Sequence, residues 1–313
     1  MTDPKIKIGT SGYSYPGPAP KGWAGTFYPV QGRRFDALEY YSRFFDVVEI
    51  NSSFYRPPAP AMAEAWVGKT PDDFEFAVKL WQKFTHPRQI QSDGSRNEWE
   101  PITQADLDLF KTGLLPLAQS GKLGALLLQY PAGFYCTPEN MEKLSETLRS
   151  FAEYPKVVEV RHKSWSDRIE ETKALLHEHN ASLALIDEPK FASSIRQRFE
   201  AVGDMLYFRA HGRNAQSWWQ HKEGWERYDY LYSWQEIKRL GEKLKSVSEA
   251  RPNLKKAVVF FNNHARAQAV ANALMLAHEM GLPLKARPSE SLVQQFPELS
   301  NLMASPTPPE RPT

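Results

Sequence analysis

Two short stretches place charged and amide side chains on alternate positions of apolar, β-branched runs. The first, residues 47–55, contains Glu49 and Asn51, and the second, residues 157–162, contains Glu159 and Arg161. Alternate residues of a strand face the same side, so each pair shares one face. A carboxylate beside cations stays ionised, whereas a less compensated one can hold a proton. We therefore predict Glu49 and Glu159 as a general acid and base.

Other predicted strands also end in polar residues, which suggests a polar ligand. Asp187 joins the two glutamates as a predicted catalytic residue. The predicted substrate-binding residues are Asn51, Lys79, Arg161, His162, Arg209, His211, Arg213, Asn262 and Asn263. The alternative is a structural plug, in which the carboxylates only pair with the cations.

The sharpest local prediction is an anion site after the seventh and eighth strands. Arg209 and Arg213 can offer bidentate donors, His211 another, and a helix that starts near Asn263 adds backbone N–H groups. In the alternative interpretation, Arg213 and His211 do not bind an anion and only hold a loop in its conformation. A small anionic ligand, a phosphorylated sugar or a nucleotide, would suit the first interpretation.

The pattern of elements that would position these residues is strand followed by helix, repeated about eight times. We predict strands at 5–10, 47–55, 74–79, 123–129, 157–161, 183–187, 206–210 and 257–261. Helix starts are predicted at Asp36, Thr137, Asp167 and Ser233. This is typical of an α/β fold, a TIM-type (β/α)8 barrel. An open doubly wound sheet competes, but no Gly-x-Gly-x-x-Gly turn follows the first strand.

The domain prediction is one barrel domain over residues 1–282. It carries long loops near 11–29, 82–103 and 211–232. Residues 283–313 form a proline-rich tail that we expect to be partly disordered.

Composition excludes several classes of protein. The 313 residues contain 39 Lys and Arg against 37 Asp and Glu, a net charge of +2, which argues against extended duplex binding. Cys136 is the only cysteine, so an intrachain disulfide is excluded. No run approaches the roughly 20 apolar residues of a membrane helix. We expect a cytoplasmic protein without a membrane partner.

A set of motifs along the chain carries a family resemblance. They are residues 9–15 (GTSGYSY), 23–29 (WAGTFYP), 48–56 (VEINSSFYR), 76–79 (FAVK), 128–131 (LQYP), 158–162 (VEVRH), 209–213 (RAHGR) and 260–263 (FFNN). Together they resemble the YecE-like proteins, the family known as domain of unknown function 72, over about residues 5–282. The resemblance implies a TIM-type barrel and brings no established activity. The expanded, proline-rich loop 15–22 departs from the family pattern and leaves the shape of the first loop open.

Three functions follow as hypotheses. The preferred one is an enzyme, a hydrolase or isomerase, that acts on a small anionic substrate by acid/base chemistry without a cofactor. The first alternative is a non-catalytic module for a nucleotide or single-stranded nucleic acid that uses Trp218, Trp219 and Trp225, although these can also form a small satellite core. The second alternative is a metal-dependent hydrolase or isomerase, against which the neighbouring cations argue. Substrate, reaction, protein partners and oligomeric state are not predicted.

Overall fold

The fold is an α/β barrel, seen in a computed structural model that describes residues 5–30, 35–87, 99–251 and 253–304. Eight strands form a closed barrel in chain order, with helices between them. The strands are β1 (Lys5–Ser11), β2 (Val47–Ile50), β3 (Glu75–Lys79), β4 (Leu123–Gln129), β5 (Lys156–Glu159), β6 (Ala181–Asp187), β7 (Met205–Ala210) and β8 (Lys256–Phe261). The predicted TIM-type barrel is confirmed.

The helices follow the strands as the apolar periodicity predicts. They are α1 (Ala37–Ser42), α2 (Pro60–Gly68), α3 (Gln82–Thr85), α4 (Gln104–Gln119), α5 (Pro138–Ser150), α6 (Ser164–Asp167), α7 (Ile169–Glu178), α8 (Trp234–Ala250), α9 (Gln268–Glu279) and α10 (Glu290–Gln295). Within the described ranges, no helix is both long and apolar enough to cross a membrane.

Helix starts show where local chemistry is decisive. The Ser233 hydroxyl and the Glu236 side chain form the predicted capping box of α8, and Thr137 caps α5. The prediction for Asp167 was wrong. Asp167 is instead the last residue of the short helix α6. The next helix, α7, starts after Arg168 and has no side-chain cap.

Internal packing divides the chain into two compact units, each described by itself. The first unit comprises Met1–Val48, Ile186–Lys190 and Phe208–Thr313; the second comprises Glu49–Leu185 and Phe191–Tyr207. Parallel pairing joins β1 to β8 in the first unit. In the second unit it joins β3 to β4, β4 to β5 and β5 to β6.

A close backbone approach organises the first unit. A Cβ atom at Gly9 would lie 2.1 Å from the carbonyl oxygen of Val47, so only glycine fits there. The buried Tyr41 hydroxyl accepts from the Thr10 N–H at 2.8 Å and donates to the Val47 carbonyl at 3.1 Å. One phenol thus satisfies backbone groups of both β1 and β2 where they come together.

The segments outside the regular pattern differ in part from expectation. Residues 188–204, between β6 and β7, contain no helix. The predicted tail contains α10 and a 3-10 helix, Pro297–Ala304, and Ser291 ties α10 to the Thr26 carbonyl at 3.0 Å. Residues 305–313, and residues 88–98 of the predicted loop 82–103, lie outside the described ranges. The extent of a 1–282 domain stays a prediction.

Candidate functional site

The second unit brings together six of the predicted site residues at the ends of β2, β3 and β5 and in the positions that follow. They are Glu49, Asn51, Lys79, Glu159, Arg161 and His162. Glu49 is completely buried, and the Tyr207 hydroxyl donates to its Oε2 at 2.7 Å. Tyr207 is also completely buried. The tyrosine therefore fixes one oxygen of this carboxylate.

The Glu159 carboxylate is held by its own strand. Arg161 donates to Glu159 Oε1 from Nε at 2.9 Å and from Nη2 at 2.7 Å. The glutamate side chain is 0% exposed, whereas the arginine keeps 16% of its surface. The alternation that predicted a shared face thus produces an ion pair two residues apart, with the cation outermost.

Lys79 lies in an aromatic setting at the end of β3. Its Nζ lies 4.0 Å from the ring centroid of Phe54, a cation–π contact. Phe54 also meets His86 edge to face, with 4.8 Å between ring centroids. Burial, and then the charges of Lys79 and Arg161, lower the pKa of His86 to about 4. His86 is therefore a neutral imidazole near two cations at neutral pH.

Asn51 follows β2 and is partly exposed, with a buried Oδ1 that has no hydrogen-bond partner in the described part of the chain. A buried acceptor without a donor costs about 1–3 kcal/mol. The position therefore suits a ligand or water that donates a hydrogen bond.

His162 has a more local role. Its Nδ1 lies 2.9 Å from the Ser164 hydroxyl and accepts from the Ser164 N–H at 3.2 Å, at the start of α6. Tyr135, half exposed, packs edge-on against the imidazole with 4.3 Å between centroids. These contacts account for His162 as a residue that positions α6, and its predicted role in substrate binding stays a prediction.

In the first unit, Asp187 and Arg213 pair with each other. Arg213 donates to Asp187 from Nε at 2.8 Å and to Glu236 from Nη1 at 2.7 Å. The Tyr232 hydroxyl donates to Asp187 at 2.7 Å. Burial, and then the Asp187 charge, raise the pKa of Tyr232 well above its ordinary value. These contacts match the alternative in which Arg213 holds a loop in place. The Arg213 guanidinium also compensates the negative charge of Asp187.

His211, Asn262 and Asn263 form a buried polar network in the same unit. The Asn262 amide nitrogen lies 2.8 Å from Nδ1 of His211, and both side chains are buried. Asn263 donates to Asn272 Oδ1 at 2.8 Å. Arg209 is 2% exposed and lies near the end of β7. All four residues are buried, and their predicted role in substrate binding stays a prediction.

The tryptophan loop favours the packing alternative. Trp218 is 3% exposed and contacts Tyr228, with Arg227 over its ring at 5.5 Å. Trp219 is 60% exposed. A buried Trp218 has no face available for a base, so the contacts of this ring match the satellite core.

The described residues do not include a cluster of side chains that would support a metal site. Among the described residues, no three His, Cys, Asp or Glu side chains are grouped closely enough to hold a metal ion. The carboxylates and the imidazole that could in principle ligate a metal instead make the contacts given above; they belong to Glu49, Glu159, Asp187 and His211.

Sequence reasoning missed several members of the site. Tyr207 lies two residues before Arg209 in β7, so the alternation rule would have found it. His86 and Phe54 lie in short helical turns after β3 and β2, where no periodic signal singles them out. Their importance depends on contacts with Lys79.

Known proteins resemble the chain along most of its length. The model of the family described as "Protein of unknown function DUF72" matches residues 7–295. The UPF0759 protein YunF of Bacillus subtilis is 30% identical over 260 residues, covering 80% of this chain and 89% of YunF. The UPF0759 protein YecE of Escherichia coli is 30% identical over 172 residues, 54% of this chain and 58% of YecE.

Solved structures agree with these matches. A DUF72 family protein of Thermotoga maritima is 33% identical with a TM-score of 0.73, covering 88% of this chain and 99% of that one. A DUF72 family protein of Enterococcus faecalis is 25% identical with a TM-score of 0.74, covering 89% and 96%. By sequence and by fold, this chain belongs to the DUF72 family.

Proposed function

We propose that this chain is an enzyme that acts on a small hydroxylated anion, such as a phosphorylated sugar, by acid/base chemistry. The site lies at the ends of β2, β3 and β5 in the second unit. The observation that carries the proposal is a layering of charge. Glu49 and Glu159 are completely buried, whereas Lys79 and Arg161 keep exposed surface. A ligand that approaches these strand ends meets the cations first.

The remaining polar groups suit the rest of such a substrate. Lys79 and Arg161 would bind the anionic group. The unpartnered Oδ1 of Asn51 would accept from a substrate hydroxyl. His86 Nδ1 lies 2.9 Å from the Thr85 hydroxyl, and if Nδ1 donates its proton there, Nε2 keeps a free lone pair. The neutral imidazole would then act as a general base, taking a proton from the carbon next to the substrate carbonyl and returning a proton to carbon.

The carboxylates take supporting roles in this proposal. Glu159 orients Arg161 through two hydrogen bonds to one oxygen, and Tyr207 orients Glu49. Complete burial keeps both glutamates from direct contact with a ligand in this conformation. Proton transfer is therefore assigned to His86, and the catalytic roles predicted for Glu49, Glu159 and Asp187 stay predictions.

The first experiment combines binding with a general assay for proton transfer. Thermal unfolding is followed with inorganic phosphate, ribose 5-phosphate and glucose 6-phosphate. Each sugar phosphate is also incubated with the protein in D2O, and deuterium incorporation at carbon is read by NMR. Ligand at 100 times its Kd should stabilise the protein by about 2.7 kcal/mol. We expect stabilisation to be lost in Lys79→Met, and exchange to be lost in His86→Gln with binding retained.

Matched variants control for the chemical change alone. Lys190→Met removes an exposed lysine, and His177→Gln removes an exposed histidine of α7. Both should behave as wild type. If no anion stabilises the wild type, or if Lys79→Met responds as strongly as Lys190→Met, the polar groups are a structural plug and the proposal fails. The nucleotide-binding alternative and the cytoplasmic location stay predictions.

A further inference from the structure

The start of α9, in the first unit, has no side-chain cap. Its N-cap residue Ala267 has φ +66°, and Arg266 before it has φ +55°, so two consecutive non-glycine residues are left-handed. The helix has 12 residues, and its positive dipole end lies at Gln268. By itself, the N-terminal end of a helix attracts groups with partial negative charge only weakly.

Gln268, the first residue of α9, gives the second observation. Its side chain is 9% exposed, and its Oε1 is buried without a hydrogen-bond partner in the described part of the chain. Buried side-chain amides are nearly always hydrogen-bonded, because stripping them of water costs about 1–3 kcal/mol. An orphaned amide at an uncapped helix start calls for a partner from outside the chain.

Asn263 supplies a second orphaned acceptor whose orientation is fixed. The Tyr232 N–H donates to Asn272 Oδ1 at 3.0 Å, and Asn272 Nδ2 donates to the Tyr232 carbonyl at 2.8 Å. Asn263 must therefore turn its nitrogen toward Asn272 Oδ1, at 2.8 Å, and toward the Tyr230 carbonyl, at 2.7 Å. Its own Oδ1 is buried and has no hydrogen-bond partner among the described residues. Asn272 lies four residues after Gln268, so Gln268 shares a face of α9 with the residue to which Asn263 donates.

Partly exposed aromatic rings lie beside these amides. His264, next to Asn263, stacks on Tyr15 with 4.8 Å between centroids and 11° between planes, and Tyr228 lies 5.1 Å away. Nδ1 of His264 lies 3.2 Å from the Asn262 carbonyl, which can only accept, so Nδ1 carries the proton. Burial lowers the pKa of His264 to about 4, which makes Nε2 an acceptor at neutral pH.

These groups together select one ligand chemistry. Unpartnered acceptors require hydrogen-bond donors, which excludes a fully ionised oxyanion. The positive helix end disfavours a cation. Hydroxyl groups satisfy both conditions, and the C–H faces of a sugar ring suit the negative faces of aromatic rings. We propose that Gln268 and the Tyr15, His264 and Tyr228 rings, next to the completely buried Asn263, form a site for a neutral polyhydroxylated ligand, a monosaccharide or its glycoside. This proposal does not depend on the enzymatic site proposed in the second unit.

The experiment measures binding of D-glucose, D-galactose and D-ribose by saturation-transfer NMR, with inorganic phosphate as a competitor. Gln268→Leu keeps the size of the side chain and removes the amide, so we expect sugar affinity to fall about tenfold. Gln268→Glu keeps an acceptor and adds a charge that suits the helix start, so its affinity should stay within about threefold of wild type. Gln235→Leu, at an exposed position of α8, is the matched control and should bind as wild type.

Thermal unfolding without sugar checks that the variants fold. Gln268→Leu should unfold at the same temperature as wild type or higher, because the lost amide had an unpartnered oxygen. The proposal is overturned if no sugar gives a transfer signal with wild type, which would leave only ordered water at the site. It is equally overturned if Gln268→Leu binds sugar as tightly as Gln235→Leu. Competition by phosphate that Gln268→Glu abolishes would identify an anion site instead.

Discussion

At the scale of single residues, the two buried glutamates of the second unit are held in different ways. Glu159 is bound by a guanidinium two residues along its own strand. The Glu49 carboxylate accepts a hydrogen bond from the phenol of Tyr207, which lies 158 positions away in the sequence. Similar sequences around the two glutamates thus lead to different hydrogen-bond partners, one on the same strand and one distant in the sequence.

Replacing Tyr207 with Phe tests the second arrangement. The change removes only the hydroxyl and leaves Glu49 Oε2 without that donor. Hydrogen bonds to charged groups contribute about 1.5–3 kcal/mol, so the free energy of unfolding should fall by about that amount. Urea denaturation followed by circular dichroism measures it.

The control for that change is Tyr55→Phe. Tyr55 is 72% exposed, so loss of its hydroxyl should alter the free energy of unfolding by less than about 0.5 kcal/mol. Equal stabilities of Tyr207→Phe and Tyr55→Phe would show that the Tyr207 hydroxyl does not support Glu49.

At the scale of elements, the helices differ in how their starts are secured. α8 has a complete capping box, with Ser233 accepting from the Glu236 N–H and the Glu236 carboxylate accepting from the Ser233 N–H at 2.9 Å. α9 begins without any side-chain cap. A well-capped helix needs no external partner at its start, whereas buried amide oxygens without a partner among the described residues lie at and just before the start of α9.

Replacing Ser233 with Ala should shorten α8 at its first turn. Loss of a serine N-cap costs about 1 kcal/mol, and we expect that decrease in the free energy of unfolding. Hydrogen exchange should also quicken at the amides of the first turn and not at the C-terminal end of the helix.

Ser248 offers a matched control on the same helix. Its Oγ is buried and has no hydrogen-bond partner in the described part of the chain, so Ser248→Ala should leave stability unchanged or raise it. If both serine variants lose the same stability, the cost arises from the helix body and not from the cap.

At the scale of the whole molecule, each unit contains a histidine whose charged form the fold disfavours. The pKa of His86 in the second unit and of His264 in the first is lowered to about 4, in both cases chiefly by burial. The ordinary histidine pKa is about 6.5. The unfolded chain therefore takes up these protons first as pH falls, so their contribution to stability is complete above pH 6.5. It declines from there to about pH 4.

His264→Phe isolates one of these contributions while keeping an aromatic ring against Tyr15. Between pH 7.5 and 4.5, wild type should lose on the order of 2 kcal/mol more stability than this variant. Urea unfolding at pH 7.5, 6.0, 5.0 and 4.5 measures the difference. The exposed His177→Gln should follow wild type across the range. Parallel curves for wild type and His264→Phe would contradict the buried, neutral imidazole.

The barrel itself was largely determined by the sequence. Apolar runs such as Leu123–Gln129 and the helical stripes between them depend on the local period of the chain, and every predicted strand is present. Capping by Thr137 and Ser233 was likewise predictable, because a cap involves residues three positions apart. The paired face of Glu159 and Arg161 followed from alternation along one strand.

Only the tertiary structure decided which polar groups meet and which remain accessible. The partners Tyr207 for Glu49 and Arg213 for Asp187 lie far apart in sequence, and no local rule selects them. Burial separated the glutamates from the exposed cations, and Oε1 of Gln268 has no hydrogen-bond partner in the described part of the chain. The physical reason is that periodicity fixes the side of an element on which a residue lies. Distance and exposure depend on the packing of segments distant along the chain.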